Sequence, residues 1–355
     1  MELHTEVLII GAGPAGSAAA LAARKLNLRS ILIEREEMPR DKVCGDRILL
    51  KDVTTILTKL DVDVLTFIET QKLHQPSFFA LSGADSNKLE APIETVIVKR
   101  KEFDNFLWNC IEENKDALKF DQVKVERIEK KEGVYQVGCV KNEQAYTIYT
   151  HYIVGADGYA SYVRRNLFND IKFNRRVASR FYMKTHAHHN LQTAMYFEKE
   201  ISPGYFWCFK INETTYNTGV YLAENATDNI YETHRFYLKK HFNEDLPKSE
   251  FKTWPIPYNT RFDHLVNNHT LLTGDAAGLC DKMFGHGIDN AITSGYLAIL
   301  SIKDSLRDDI HYPLKEIYAY NLNNYIGDTL RKSVAAYEFL EKNPQKFLDV
   351  IQQYV

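Results

Sequence analysis

Hydrophobic positions along the chain change period several times, and each change marks an element. Residues 7–10 (Val-Leu-Ile-Ile) form a continuous apolar run, the pattern of a short strand buried on both faces. The Ala-rich stretch 17–26 predicts a helix, and 30–33 a second strand that ends at Glu34. A loop merges into a helical pattern over 43–60; 78–82 and 93–98 read as strands, and 102–113 as an amphipathic helix. Short apolar runs at 122–127, 134–140, 145–149 and 152–154, separated by polar breaks, suggest an antiparallel meander. From 177 to 222 aromatic and β-branched residues dominate, which reads as an antiparallel sheet with one face over a ligand. A helix over 228–242, a strand over 270–273 and helical segments at 287–306, 313–336 and 344–354 complete the pattern. The expected fold class is α/β: a Rossmann-like domain with an inserted antiparallel sheet and C-terminal helices. Its expected units are 1–70 with 99–172 and 262–306, then 71–98 with 173–261, then a helical segment 307–355.

The turns between these elements carry three glycine motifs. Gly11-Ala12-Gly13-Pro14-Ala15-Gly16 follows the first strand, and Gly155-Ala156-Asp157-Gly158 follows the run at 152–154. Gly274-Asp275-Ala276-Ala277-Gly278 follows the run at 270–273, with Gly285-His286-Gly287 just beyond. Each alone is a weak pattern; their order and spacing together describe one cofactor, FAD. Gly11 permits the tight turn, Gly13 lets backbone approach a pyrophosphate, and Gly16 allows close helix–strand packing. Pro14 and Ala15 lead into a helix whose positive N-terminal end suits phosphate. Glu34, roughly 20 residues on, is placed to hold ribose hydroxyls, with Arg35 beside it.

Composition narrows the class. At 355 residues the chain buries a sizeable core and suggests two domains. A formal net charge of -3 gives no basic balance toward nucleic acid, and no apolar stretch is long enough for an integral membrane segment. The N-terminus enters a strand almost at once, which argues against a signal peptide and for a cytoplasmic location. Five scattered cysteines, an odd count, argue for reduced thiols without metal spacing. His186, His188 and His189 lack an acidic or cysteine partner at convincing spacing, so no metal is expected.

Three segments carry a family resemblance. They are Pro39-Arg40-Asp41-Lys42-Val43-Cys44-Gly45, Tyr205-Phe206-Trp207-Cys208-Phe209-Lys210, and Gly285-His286-Gly287-Ile288-Asp289-Asn290-Ala291 followed by Ser294-Gly295. On these residues, together with the FAD motifs, the chain resembles the geranylgeranyl reductase family of the p-hydroxybenzoate hydroxylase-like flavoprotein superfamily. The resemblance covers nearly the whole chain. It departs at Asp46, where the family usually has a second glycine, and at Lys210, where it has Pro. Both departures are expected to line the substrate side.

The resemblance implies roles. Asp157-Gly158 and Arg100 are expected near the FAD pyrophosphate, with Asp157 ordering its loop through backbone hydrogen bonds. Asp275, after Gly274, is expected to bind the ribityl chain. Gly285, Gly287 and Ile288 open a helix toward the flavin pyrimidine, a tuning device that uses no acidic or basic side chain. Cys44 and Gly45 are expected beside the isoalloxazine, and Arg40 and Lys42 to lower the Cys44 pKa or bind an anionic substrate group, unless they are ordinary loop charges. Tyr205 and Trp207, two apart on a strand, form an aromatic wall for an apolar substrate, and the Tyr205 hydroxyl is a candidate proton donor. His286 is a candidate partner of flavin or substrate. Trp254-Pro255-Ile256-Pro257 partly resembles a halogenase signature, but Lys252 stands where its first Trp would, and Lys88 lacks the surroundings of the halogenase lysine; the segment is expected to lead back into the FAD domain.

The expected activity is reduction of C=C bonds in an apolar, isoprenoid-like or polyketide-like molecule by hydride from flavin N5. With one nucleotide fingerprint in the chain, the reductant is expected to be transiently bound NAD(P)H or a reduced electron-transfer protein. A flavin monooxygenase or halogenase working through a C4a-hydroperoxide is the alternative, and a flavin-bound sensor a third class. Peripheral membrane association is compatible with a lipid substrate, although the tyrosine-bearing helix at 313–336 reads as a cover rather than an anchor.

Overall fold

The structure is a computed structural model that describes residues 2–71, 78–82, 87–91, 94–168, 171–185, 191, 193–223, 229–347 and 349–350. The run at 7–10 lies in a strand, Glu2–Ile10, whose last four residues are buried on both sides. It sits at the centre of an eight-stranded sheet whose parallel part runs Thr270–Leu272, Gln144–Gly155, Glu2–Ile10, Ser30–Ile33, Ala117–Phe120. The meander Lys124–Lys131 and Val134–Lys141 joins it through the N-terminal half of Gln144–Gly155. The two runs expected at 145–149 and 152–154 are thus one long strand. Its first half pairs antiparallel with the meander and its last residues join the parallel core. Ala117–Phe120 was not expected: its Leu-Lys-Phe pattern is short and half-exposed, and only pairing with Ser30–Ile33 makes it a strand.

Helix Pro14–Lys25 follows the first strand and packs on helix Ile288–Ser305. Gly295 makes that crossing possible. A Cβ there would lie 2.0 Å from the Ala15 carbonyl oxygen. Gly16 is equally constrained, with a Cβ position 1.7 Å from the Gly11 oxygen, and Gly11 itself needs a φ of +103°.

The second sheet has seven strands in the order Lys252–Tyr258, Asn174–Lys184, Thr215–Leu222, Tyr205–Lys210, Ala194–Phe197, Phe78–Ser82, Asn87–Ala91. It is antiparallel as expected except at one step, where Ala194–Phe197 runs parallel to Phe78–Ser82. Residues alternate across it. Phe206, Cys208, Val220 and Leu222 pack with Tyr237 and Leu238 of helix Ile230–Phe242, while Tyr205, Trp207, Phe209 and Tyr221 face the other way, toward the first sheet. Lys252–Tyr258 is the edge strand of this sheet. Edge strands tolerate Pro255 and Pro257, which cannot donate to a ladder.

The segment at 313–336 is two helices, Leu314–Leu322 and Asp328–Lys342, joined by a π-helical turn Asn323–Gly327. Tyr318 is fully buried, and its hydroxyl donates to the Leu272 carbonyl at 2.9 Å. Tyr337 and Leu340 pack with Phe197 and Tyr205 beneath the second sheet. The 93–98 strand is Thr95–Ile97, paired with Arg47–Leu49, and the 102–113 helix is Arg100–Asn109. His186, His188 and His189 lie outside the described residues, as does the end of the 344–354 segment. Among the described residues no helix is long and apolar enough to cross a membrane, and no cluster of His, Cys, Asp or Glu could hold a metal ion.

Candidate active site

A cleft of about 780 Å³ runs between the two sheets. At one end stand the Gly11–Gly13 turn and Glu34; at the other stand the aromatic face of the second sheet and the Gly285–Ile288 loop. All the residues expected to bind cofactor or to act in catalysis, save Gly16, line it. Gly16 works from behind, as the packing contact that shapes the turn.

The turn end is built for an anion. Helix Pro14–Lys25 has no side-chain cap and no acidic residue in its first turn, so its N-terminal N–H groups are left to a ligand. Gly13 presents bare backbone: the nearest atom to a Cβ there would be Arg40 Nη2, 3.6 Å away. Gly158 has a φ of +73° and open space where its side chain would be. Arg40 and Lys42, whose roles were left open in the sequence, both line the cleft. Arg40 bridges Glu34 (3.3 Å) and Asp104 (2.9 Å), and Asp104 also clamps Arg100 through Nε at 2.7 Å and Nη2 at 2.8 Å. Burial works against the charge on Asp104, but Arg100 and Arg40 outweigh it and hold the carboxyl below its ordinary range. Glu34 Oε2 accepts the Ala12 N–H at 2.9 Å, so the acid expected to reach a ribose also pins the glycine turn. Arg35 is exposed at the rim and pairs with Glu36. Asp157 behaves as expected, accepting the N–H groups of Tyr162 and Val163.

Midway along the cleft, Asp275 Oδ2 receives Lys42 Nζ at 3.0 Å, and its Oδ1 receives the Cys280 thiol. Lys42 also lies 4.7 Å over the Trp254 ring. Burial opposes the Asp275 charge, yet Lys42 holds its pKa low.

The far end mixes aromatic walls with buried charge. Trp207 donates from Nε1 to Asn217 Oδ1 at 3.0 Å. The Tyr205 hydroxyl donates to the Phe284 carbonyl. Gly285, at φ +68°, lets its loop approach the Tyr221 ring, where a Cβ would come within 3.0 Å. His286 Nε2 lies 3.1 Å from Arg47 Nη1; because a guanidinium only donates, Nε2 is the acceptor. Burial and then the Arg47 charge push the His286 pKa well below its ordinary value, so the ring is neutral. The helix Ile288–Ser305 starts at Gly287 without a side-chain cap, as expected, but charged groups do attend it. Arg47 is buried nearby with its pKa lowered to about 10 by burial, and Asp289 in the first turn is pushed up to about 6, chiefly by burial. An acidic and a basic side chain thus stand near this helix start in addition to its N–H groups. Cys44 lines the cleft as a thiol: burial raises its pKa, and the Arg100 charge only partly offsets this, so the expected lowering by Arg40 and Lys42 does not occur.

Neither departure from the family pattern lines the cleft. Lys210 is outside the cleft and pairs with Glu213 at 3.6 Å. Asp46 is fully buried behind the cleft wall. Arg47, Asp104, Asn217 and Asp289 were missed by the sequence reading. Only Asp104 left a trace, four residues after Arg100 on one helix face; the others are assembled by distant strands and loops.

The comparisons agree with this geometry. A family model described as FAD binding domain matches residues 4–309. The chain is 26% identical over 362 residues to digeranylgeranylglycerophospholipid reductase 3 of Methanosphaera stadtmanae, covering 98% of this chain and 89% of that protein. Among solved structures it is similar to a geranylgeranyl bacteriochlorophyll reductase-like protein from Thermoplasma acidophilum, with TM-score 0.81, 20% identity, and coverage of 95% of this chain and 88% of that one. A probable FAD-dependent monooxygenase from Pseudomonas aeruginosa shares the fold at TM-score 0.74 and 17% identity, covering 98% of this chain and all of the other (100%).

Proposed function

Because the chain belongs to the FAD binding domain family, as a flavoprotein of the geranylgeranyl reductase type, we propose that it reduces C=C bonds of an apolar, isoprenoid-like molecule. The observation that carries this reading is the aromatic face of Tyr205, Trp207, Phe209 and Tyr221 standing over the flavin end of the dinucleotide cleft. Such a wall binds hydrocarbon by contact area and offers few donors to a polar substrate. FAD, when bound, supplies hydride from its N5.

The protein's part is to hold, dry and protonate. The uncapped helix end, Gly13, Arg100 and Gly158 would hold the pyrophosphate, Glu34 the ribose and Asp275 the ribityl chain, with Gly285, Gly287 and Ile288 at the pyrimidine end. Arg47 keeps a fixed positive charge at that end. The aromatic wall excludes water, so a hydride acceptor meets no competing proton source except those the protein places there. Cys44 is that source: its thiol keeps its proton at neutral pH, whereas the Tyr205 proton is engaged by Phe284 and the His286 ring is neutral with Nε2 turned to Arg47. One hydride and one proton from Sγ saturate one double bond, and solvent reprotonates the thiolate. Transiently bound NAD(P)H or a reduced electron-transfer protein would supply the electrons.

The test is anaerobic turnover of a polyprenyl lipid by FAD-loaded, chemically reduced protein, read by product mass. A gain of two hydrogens per double bond is expected, with Cys44→Ala retaining FAD and losing turnover. A product that gains oxygen or halogen only when air is admitted would replace this reading with a monooxygenase or halogenase.

A further inference from the structure

Asp46 takes the place of a small residue at a point where the backbone suits one. Its φ is +63°, in the left-handed region where glycine is at ease and Asp is among the few other residues tolerated. Backbone freedom therefore does not explain the side chain, and what the side chain touches does. The carboxylate points away from the cleft into a set of donors. Oδ2 accepts the Tyr182 hydroxyl at 2.7 Å and Asn217 Nδ2 at 2.8 Å, and Oδ1 accepts the Arg100 N–H at 3.2 Å.

Asn217 is the connection to the site. Its Nδ2 also donates to the Cys44 carbonyl at 2.8 Å, and its Oδ1 accepts the Trp207 indole N–H at 3.0 Å. One amide thus joins the loop that carries the thiol to the indole of the aromatic wall, and the Asp46 carboxylate dictates which way that amide faces. Gly45 completes the joint: a Cβ there would sit 3.4 Å from the Phe209 ring and 3.7 Å from Trp207, so loop and wall are in contact. We propose that Asp46 is a positioning residue that orients Asn217 and so holds the Cys44 loop and the Trp207 indole in one fixed arrangement at the substrate end of the cleft. The inference rests on the reading of that end as the substrate site.

The arrangement depends on the charge state of Asp46. The groups around it are Tyr182 and Arg180 from Asn174–Lys184, Arg100 and Lys99 at the helix start, and the neutral Cys44 thiol. No cationic side chain forms an ion pair with it among the described residues: the Arg100 guanidinium is clamped by Asp104, and Arg180 by Asp41, reaching Asp46 only through the Tyr182 hydroxyl, which it contacts at 3.2 Å. Burial without a direct cation raises its pKa to about 6, against the lowering effect of the Tyr182 and Asn217 hydrogen bonds. A proton on the carboxyl puts a donor where Asn217 and the Arg100 amide are also donors, and where the Tyr182 oxygen already receives Arg180. Protonation therefore removes the charge and part of the acceptor capacity shared by these donors, and so weakens the hold on the Asn217 amide.

The experiment has two arms. In the first, tryptophan emission of FAD-free protein is titrated between about pH 5 and 8, with Trp207→Phe identifying the indole that responds. The wild type is expected to show a Trp207 transition with a midpoint near 6, absent in Asp46→Asn and Asp46→Gly, the latter chosen because glycine adopts the same φ and keeps the fold. In the second, KM and kcat for a polyprenyl substrate are measured on the FAD-loaded enzyme. KM is expected to rise roughly five- to tenfold on the acid side, the equivalent of one lost hydrogen bond. Asp46→Asn should carry the high KM at every pH, with kcat changed far less. Flat Trp207 emission in folded wild type, or a wild-type KM in Asp46→Asn, overturns the proposal. If no polyprenyl substrate is turned over, the functional reading fails, and the emission arm still decides whether Asp46 governs the indole.

Discussion

Arg40, Arg100 and Asp104 form a largely buried unit in which one carboxylate holds two guanidinium groups at the glycine-turn end of the cleft. Removing one member of such a unit leaves charge buried without its partner, which costs about 3–5 kcal/mol. Asp104→Asn is therefore expected to lower stability by that order in a urea melt. The pH dependence follows from the direction of the shift. The Asp104 pKa is held below its ordinary 3.8, so its contribution is complete above that value and is lost as pH falls through the folded-state pKa. Wild type should lose stability steeply in acid, and Asp104→Asn should show a shallower loss. Equal acid slopes in the two proteins would mean that Asp104 is not held by its arginines. Asp46 and Asp289 act with the opposite sign: their raised pKa values mean stability declines as pH rises from near 3.8 to about 6.

At the scale of elements, the critical joint is the crossing of Pro14–Lys25 and Ile288–Ser305, because each helix presents its N-terminal end to the cleft. Ala15 and Gly295 meet at that crossing with no room for a side chain. Gly295→Val is expected to force the helices apart, at a cost of at least the ~1–3 kcal/mol typical of overpacking. Both helix ends that line the cleft would then be misplaced together. Thermal melting and FAD titration should both record the change. Unchanged FAD affinity in a destabilised Gly295→Val protein would separate the crossing from the site. The second sheet works differently, because its alternation commits Tyr205, Trp207 and Phe209 to the cleft and Phe206 and Cys208 to the far core.

At the scale of the whole molecule, the cleft separates two sheets whose apolar cores are distinct. A cofactor that spans it ties them together, and binding to the native state alone stabilises by mass action, about 2.7 kcal/mol at a hundredfold excess over Kd. Melting temperature is accordingly expected to rise by several degrees on adding FAD, and to stop rising once the site is full. A melting curve indifferent to excess FAD would remove the basis for the reductase reading.

Much of this was legible in the linear chain, and the reasons are local. Residues 7–10 and the glycines after them answer to short-range backbone geometry, so strand, turn and helix can be read in chain order. Period-two alternation likewise announced that Tyr205 and Trp207 share a face. The chain does not say locally that Ala117–Phe120 is a strand, that 145–154 is one strand rather than two, or that 313–336 breaks at a π turn, because pairing and packing with distant segments decide those points. The same holds for the charges. Asp46 read as a change on the substrate side, yet the fold buries it under Tyr182 and Asn217, 136 and 171 positions away. Sequence alone determined the cofactor cradle, whose glycines answer to steric rules within a few residues. Tertiary structure decided which protons and charges attend it, because burial and long-range hydrogen bonds set those, and neither is written in the neighbourhood of the residue they act on.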